Sequence, residues 1–288
     1  MHFISGLMLY LIVTSVNAQI QVQDDLGRSV TLQSPAKRII SLAPHVTELL
    51  YAAGASDQVV GVVNYSDYPE QAKRIQQIGS SNKFDLETIV SAKPDLIVAW
   101  KSGNPDEQVN ELIKLGLTVY YSEPRHLDDV ASNIERLGKL LATTVTANKV
   151  AQEYTSELNR LRNEYKERKK ISVFYQVWNR PILTINGRHL ISSVIDLCGG
   201  ENIFSDIETF VPQVNIEAII EKDPQVIVIG MNEERKDWLD EWQQWKGLSA
   251  VKNNHVYPIN ADLIVRHTPR ILIGAGQLCG FLDRLRGL

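Results

Sequence analysis

The chain has 288 residues, 30 Lys and Arg against 34 Asp and Glu for a formal charge of -4, and 44% hydrophobic residues. That is the composition of an ordinary globular protein, not of a disordered, fibrous or membrane-spanning one. The acidic balance gives a polyanion no handle, because nucleic-acid binders concentrate a basic excess on one face; no nucleic acid partner is expected.

In chain order, residues 3 to 16 form an apolar run too short to span a bilayer comfortably, and Val16-Asn17-Ala18 supplies the small residue of a cleavage site before Gln19. Residues 1–18 are therefore expected to be a secretion signal, although the leader carries His2 and no Lys or Arg. No later segment approaches the length of apolar chain that a membrane helix needs, so a soluble mature protein is expected.

Residues 86–100 (LETIVSAKPDLIVAW) and 216–230 (IEAIIEKDPQVIVIG) are an internal duplication that aligns Glu87 with Glu217 and Pro94 with Pro224. In each copy an amphipathic helix ends near a Pro, and an apolar strand of the kind buried on both faces follows. Strands and helices alternate in both halves, which predicts an α/β fold of two pseudo-symmetric parallel-sheet lobes. The expected lobes are residues 19–141 and 171–288. Between them, 142–170 lacks Gly and Pro and carries Val150, Tyr154, Leu158, Leu161 and Tyr165 at spacings of three and four. That stripe predicts a helix of about 25 residues, about 37 Å long, acting as a stiff strut that permits little lobe movement.

Only two cysteines occur, Cys198 and Cys279. Their number excludes thiolate clusters, and in an exported protein an isolated pair is expected to form a disulfide. There is no GxSxG elbow, no phosphate loop and no HExxH, so neither a catalytic residue nor a metal site is assigned. Gly274, Gly276 and Gly280 have the wrong spacing for a dinucleotide fingerprint and are expected to be close-packing positions in a C-terminal helix. Trp238, Trp242 and Trp245 have the spacing of a buried helix face.

Ligands of α/β sheets gather at the carboxyl ends of strands. The segments there hold His45, then Tyr65 with Asp67, then Trp100 in the first half, and Trp178, Asp262 and Arg266 in the second. Tyr65, Trp100 and Trp178 could stack on a flat ligand. Asp262 and Arg266 could instead pair with each other, and His45 is a polar lining residue or a metal ligand. Glu87 and Glu217 begin matched helices, where the helix dipole favours a carboxylate. Their duplication also suits docking on a two-fold symmetric partner with two basic pockets.

Several segments together resemble a known family: Arg38 to Leu49 (RIISLAPHVTEL), Tyr65-Ser-Asp-Tyr-Pro69, the Lys93 to Trp100 strand approach, Cys198 to Phe204 (CGGENIF), Pro212 to Val214, and Thr268 to Leu272 with Cys279. The chain resembles, over essentially the whole of 19–288, the periplasmic binding proteins of ABC importers for ferric siderophores, haem and corrinoids. The Tyr65 and Cys198 segments are similar to the cobalamin branch. The resemblance implies the class III architecture, two lobes joined by one long helix. It also implies a monomer in the periplasm that holds cobalamin as transported ligand in the interlobe cleft, with no enzymatic cofactor and only slight closure. Tyr65, Trp100, Asp262 and Arg266 would line the cleft, and Glu87 and Glu217 would contact the inner-membrane permease. Where a well-known member carries rings, this chain has Ser81, Leu183 and Val211, which leaves the neighbouring Phe84, Trp178 and Phe210 to replace them. Two other readings stay open: a haem or ferric-siderophore binder using His45, Tyr65 or Arg266, and a secreted enzyme with an Asp67–Asp262 acidic dyad.

Overall fold

The computed structural model describes residues 19–232 and 237–287, so the expected leader, 1–18, lies outside the described residues. The chain opens on an antiparallel hairpin, β1 (Ile20–Gln23) and β2 (Ser29–Leu32). A four-stranded sheet follows, built from β3 (Ile39–Ser41), β4 (Val59–Val62), β7 (Leu96–Trp100) and β8 (Val119–Ser122) in the order β4-β3-β7-β8. All its strands are parallel. A second hairpin, β5 (Gly79–Ser80) with β6 (Lys83–Phe84), sits in the connection after β4.

The second half repeats this plan. Strands β9 (Ile171–Gln176), β10 (Gly200–Asn202), β11 (Val226–Met231) and β12 (Val256–Asn260) form a parallel sheet in the order β10-β9-β11-β12. Each sheet thus has its first and third strands as neighbours, with the second outside. The central strands β7 and β11 are almost wholly buried, as parallel strands covered on both faces must be.

The duplication is visible down to single hydrogen bonds. Helices α2 (Leu86–Ser91) and α7 (Ile216–Lys222) are capped at matched positions: Asp85 accepts from the Thr88 amide at 3.0 Å, Asn215 from the Ala218 amide at 2.9 Å. Such caps satisfy amides that the first helical turn leaves unpaired. Both helices stop on a left-handed turn before proline, at Lys93 (φ 47) and Asp223 (φ 37). After each proline, Asp95 accepts from the Lys37 and Arg38 amides and Gln225 accepts from the Ser172 amide, tying the approach of the third strand to the start of the first.

Helix α4 (Leu127–Leu141) packs on α5 (Thr144–Tyr165), the long helix between the sheets. The stripe read from sequence is the buried face of α5: Tyr154, Leu158, Leu161 and Tyr165 are buried and Val150 is partly so. Each large side chain removed from water there contributes about 1.5–3 kcal/mol. Helix α5 also touches α1 (Pro44–Ala52), α6 (Leu190–Leu197) and α10 (Ile271–Arg286). One hydrophobic cluster consequently runs from Ile39 and Leu49 through Leu158 to Ile195 and Leu278. Smaller clusters cover the other face of each sheet.

Cys198, at the end of α6, is bonded to Cys279 in α10, 81 residues on, and both are fully buried. A loop of that size restricts the unfolded chain by roughly 4.5 kcal/mol in the chain-entropy account. Trp238 and Trp242 are core residues on α8 (Asp237–Trp242), with Trp245 packed beside them past the helix end. Of the three C-terminal glycines only Gly274 is a close-packing position, since a Cβ there would meet the Leu263 carbonyl at 2.4 Å; Gly276 and Gly280 face open space. Helix α10 is a buried stripe with one open side, and the expectation fails on that side. Among the described residues no helix is long and apolar enough to cross a membrane.

Candidate functional site

Where a parallel sheet has its first and third strands side by side, the connections leave in opposite directions and a crevice opens at their carboxyl ends. In the first sheet those ends are the N-terminus of α1, carrying His45, and Trp100, the last residue of β7. The two rings meet edge to face at 5.0 Å. Trp100 lies on Gly103, where any Cβ would sit within 2 Å of the indole. Its backbone amide donates to Asn104 Oδ1 at 2.7 Å.

A third ring enters from the other lobe. His267, just ahead of α10, has its centroid 5.7 Å from that of His45. His45 Nε2, Trp100 Nε1 and His267 Nδ1 are all buried without a hydrogen-bond partner among the described residues. Burial, with the neighbouring His267 and Arg266 charges, holds His45 well below the usual imidazole range. Burial likewise pushes His267 down to about 4, against the opposing hydrogen bond to the Pro124 carbonyl. His45 is thus a neutral ring in a buried seam, 6% exposed.

Tyr65 occupies a different environment. It follows β4 with φ 65 and is 80% exposed. Asp67, two residues later, pairs with Arg266 Nη1 at 2.8 Å. The same guanidinium pairs with Glu48 of α1 at 2.9 Å and with Asp262 at 2.9 Å, and Nη2 donates to the Tyr65 carbonyl at 3.3 Å. Glu48 is 3% exposed and also accepts from Thr268 Oγ1 at 2.9 Å and Arg270 Nη1 at 3.0 Å. Burial pushes the Glu48 carboxyl up, against the pull of its hydrogen bonds to Arg266 and Thr268 and of the Arg270 charge.

The Asp262–Arg266 pairing expected from their spacing is present, but in the 3-10 turn Ala261–Leu263 and the loop behind it, not on an α-helix. Arg266 is 7% exposed and paired with three carboxylates, so its guanidinium is a largely buried interlobe group. Asp67 and Asp262, the two carboxylates of the acidic dyad weighed as an alternative, both pair with that guanidinium.

On the second lobe, Trp178 follows β9, is 40% exposed and meets Trp238 edge to face at 5.4 Å. It bridges to Leu183, one of the positions that lack a ring, and Leu183 bridges to Gln213. Phe210 is 50% exposed beside Val211 and lies 4.7 Å from the His189 ring. These two rings therefore adjoin the positions they were expected to replace. Phe84 does not: it is 5% exposed in the first lobe's outer core, with Ile78, Ile89 and Ile97, where the β5–β6 hairpin turns it inward.

Glu87 and Glu217 are exposed in the first turns of α2 and α7. Each helix precedes a parallel strand and runs back along the sheet, so its N-terminus lies at the carboxyl edge. Sequence reasoning missed Glu48, Thr268, Arg270 and His267. The signal for Glu48 was available, since a single carboxylate within the apolar run of α1 must be paired once that helix is buried. A separate cavity of about 440 Å³, lined by Tyr51, Asp57, Tyr68, Pro69, Val150 and Pro269, lies behind Glu48 and shares only that residue with the groups described above.

The chain as a whole is similar to known proteins. A family model described as periplasmic binding protein matches residues 39–263. The chain is 43% identical over 249 residues to the vitamin B12-binding protein of Vibrio cholerae serotype O1, covering 86% of this chain and 90% of that one. It is 39% identical over 244 residues to the vitamin B12-binding protein of Yersinia pestis, covering 85% of each. Among solved structures it is similar to the periplasmic vitamin B12 binding protein of Vibrio cholerae, with a TM-score of 0.83 and 42% identity over 88% of this chain and 99% of that one. A periplasmic haem-binding protein solved with two haems gives a TM-score of 0.78 at 18% identity over 87% and 99% of the two chains, a likeness of fold alone. With the model spanning most of its length and two named relatives covered almost end to end, the chain belongs to the periplasmic binding protein family.

Proposed function

We propose that this protein is a periplasmic solute-binding protein that captures cobalamin or a related corrinoid between its lobes and delivers it to an ABC-type importer. The observation that carries the reading is the 43% identity to a vitamin B12-binding protein over 86% of the chain. Exposed rings support it: Tyr65 after β4 on one side, Trp178 after β9 and Phe210 in the loop before α7 on the other. In this reading the lobes are 19–141 and 171–288, with 142–170 between them.

Tyr65, Trp178 and Phe210 would cover the faces of the planar ring, and the edge of Trp100 would close the floor above His45. Asp262 and backbone groups would meet the amide fringe. A large, mostly apolar contact with a few polar contacts selects by shape. The protein would act as a monomer without covalent chemistry, and Glu87 and Glu217 would dock on a two-fold symmetric permease.

Visible absorption tests the ligand class. After incubation with cyanocobalamin, haem or a ferric siderophore and desalting, the corrinoid bands alone should travel with the protein. Retention of haem or the ferric chelate with loss of the corrinoid would move the ligand to the iron branch.

A further inference from the structure

We propose that the turn between β1 and β2 is an autoinhibitory contact: it occupies the outer edge of β8 and so keeps that edge from pairing with a second copy of the chain. Strands β8 and β12 are matched edges of the two sheets, because the duplication aligns Ala99 with Ile229, and the residues in register with these are Tyr121 and Pro258. In the second sheet the Ile227 amide donates to the His255 carbonyl at 3.0 Å, which turns the backbone groups of Val256, Pro258 and Asn260 outward. Pro258 is exposed and has no N–H to offer an incoming strand, a common protection of a sheet edge. In the first sheet the Ile97 amide donates to the Thr118 carbonyl at 2.8 Å, so Val119, Tyr121 and Glu123 face outward. None of these is a proline, and Tyr121, at the place of Pro258, offers both a donor and an acceptor.

The β1–β2 turn takes those groups one by one. Asp24 Oδ2 accepts from the Tyr121 amide at 3.4 Å, and the Asp25 amide donates to the Tyr121 carbonyl at 3.1 Å. Asp25 Oδ2 accepts from the Glu123 amide, and Arg28 Nη2 donates to the Val119 carbonyl at 3.2 Å. The turn is stiffened for this task, since Asp24 Oδ1 also accepts from the Leu26 amide at 3.0 Å and the Arg28 amide at 2.9 Å. Asp25 is anchored from behind by Asn133 and Arg136 of α4. Side chains of a polar turn thus satisfy an edge that a further strand would otherwise fill.

With the turn withdrawn, β8 would present unpaired amides and carbonyls, which template pairing with another chain. The counterpart edge β12 is blocked by Pro258, whereas β8 of a second copy carries the same donors and acceptors. Two such edges meet antiparallel about a two-fold axis. The inference holds whatever the ligand.

Sedimentation and amide exchange of the full chain test this. The wild-type chain should sediment as one copy at every concentration. Asp25→Ala should give a mass that rises with concentration from one copy towards two, with faster exchange of the Tyr121 and Glu123 amides in dilute solution and unchanged protection of β7. Adding Glu123→Pro, which removes an outward donor as Pro258 does, should return the variant to one copy. An Asp25→Ala chain that stays monomeric, or an association that survives Glu123→Pro, would overturn the proposal. If Asp25→Ala loses the protection of β7, Asp25→Asn, which keeps the side chain's size and removes its charge, carries the same expectations and the same refutations.

Discussion

Three histidines are held in the uncharged state by burial: His45 and His267, which meet where the lobes join, and His189 of the second lobe beside Phe210. His45 lies well below its ordinary value, and His189 and His267 are pushed down to about 4. The His189 ring also accepts the Ile191 amide at Nδ1, at 3.1 Å, which favours the unprotonated nitrogen. Unfolded histidines titrate near 6.5, so on acidification the unfolded chain binds protons first. The contribution of these groups is full above about pH 6.5 and is lost as the pH falls from there towards 4, at up to about 1.4 kcal/mol per pH unit for each ring. Urea denaturation at pH 7.5, 6 and 5 should show the midpoint falling across that window, and His45→Asn should flatten the fall. A midpoint independent of pH between 7.5 and 5 would contradict the burial of neutral rings. At this scale the sequence showed which residues stand at strand ends but not which of them would be spent on each other. Arg266 and Asp262 could be paired from their spacing, whereas Glu48 and Asp67 reach the same guanidinium from sequence positions about 200 residues away. No local pattern encodes that meeting.

Elements were more legible than residues wherever one period dominated. The buried strands, the stripe of α5 and the duplicated α2 and α7 all follow from apolar spacing. The hairpins did not: β1 reads as part of a polar stretch, and β5 and β6 are two residues each, too short to show alternation. Phe84 was misplaced for that reason, since its inward direction is set by the hairpin. The duplicated helices carry a prediction of their own. Each presents an exposed carboxylate at the carboxyl edge of its sheet, with an exposed apolar residue, Val90 or Ile220, three positions on. Docking on a permease with paired basic pockets would use both copies together. Glu87→Ala and Glu217→Ala should each weaken capture by the reconstituted importer by about tenfold or more, a loss expected when one member of an interfacial charge pair is truncated. Cobalamin affinity should stay within about twofold. Loss of ligand affinity with docking intact would sink the assignment of these helices.

For the whole molecule, the decisive feature is that both lobes share one hydrophobic cluster through α5, reinforced by a buried ion network across the seam and by the Cys198–Cys279 bond within the second lobe. A hinge free to swing would have to break the Glu48 contacts with Arg266, Thr268 and Arg270, leaving a buried carboxylate unpaired. In the proposed reading the cleft would accordingly be preformed, and a ligand there should bind with little rearrangement. The two-lobed architecture was legible because the duplication repeats the strand and helix plan twice; the site was less so, because only the fold shows that Trp178 bridges to Leu183 and that Phe210 stands exposed beside Val211. A calorimetric titration of residues 19–288 with cyanocobalamin, run beside haem and a ferric siderophore, tests the central claim most directly. The account predicts tight one-to-one binding of cyanocobalamin alone. Binding of haem or the siderophore with no heat from cyanocobalamin would contradict it.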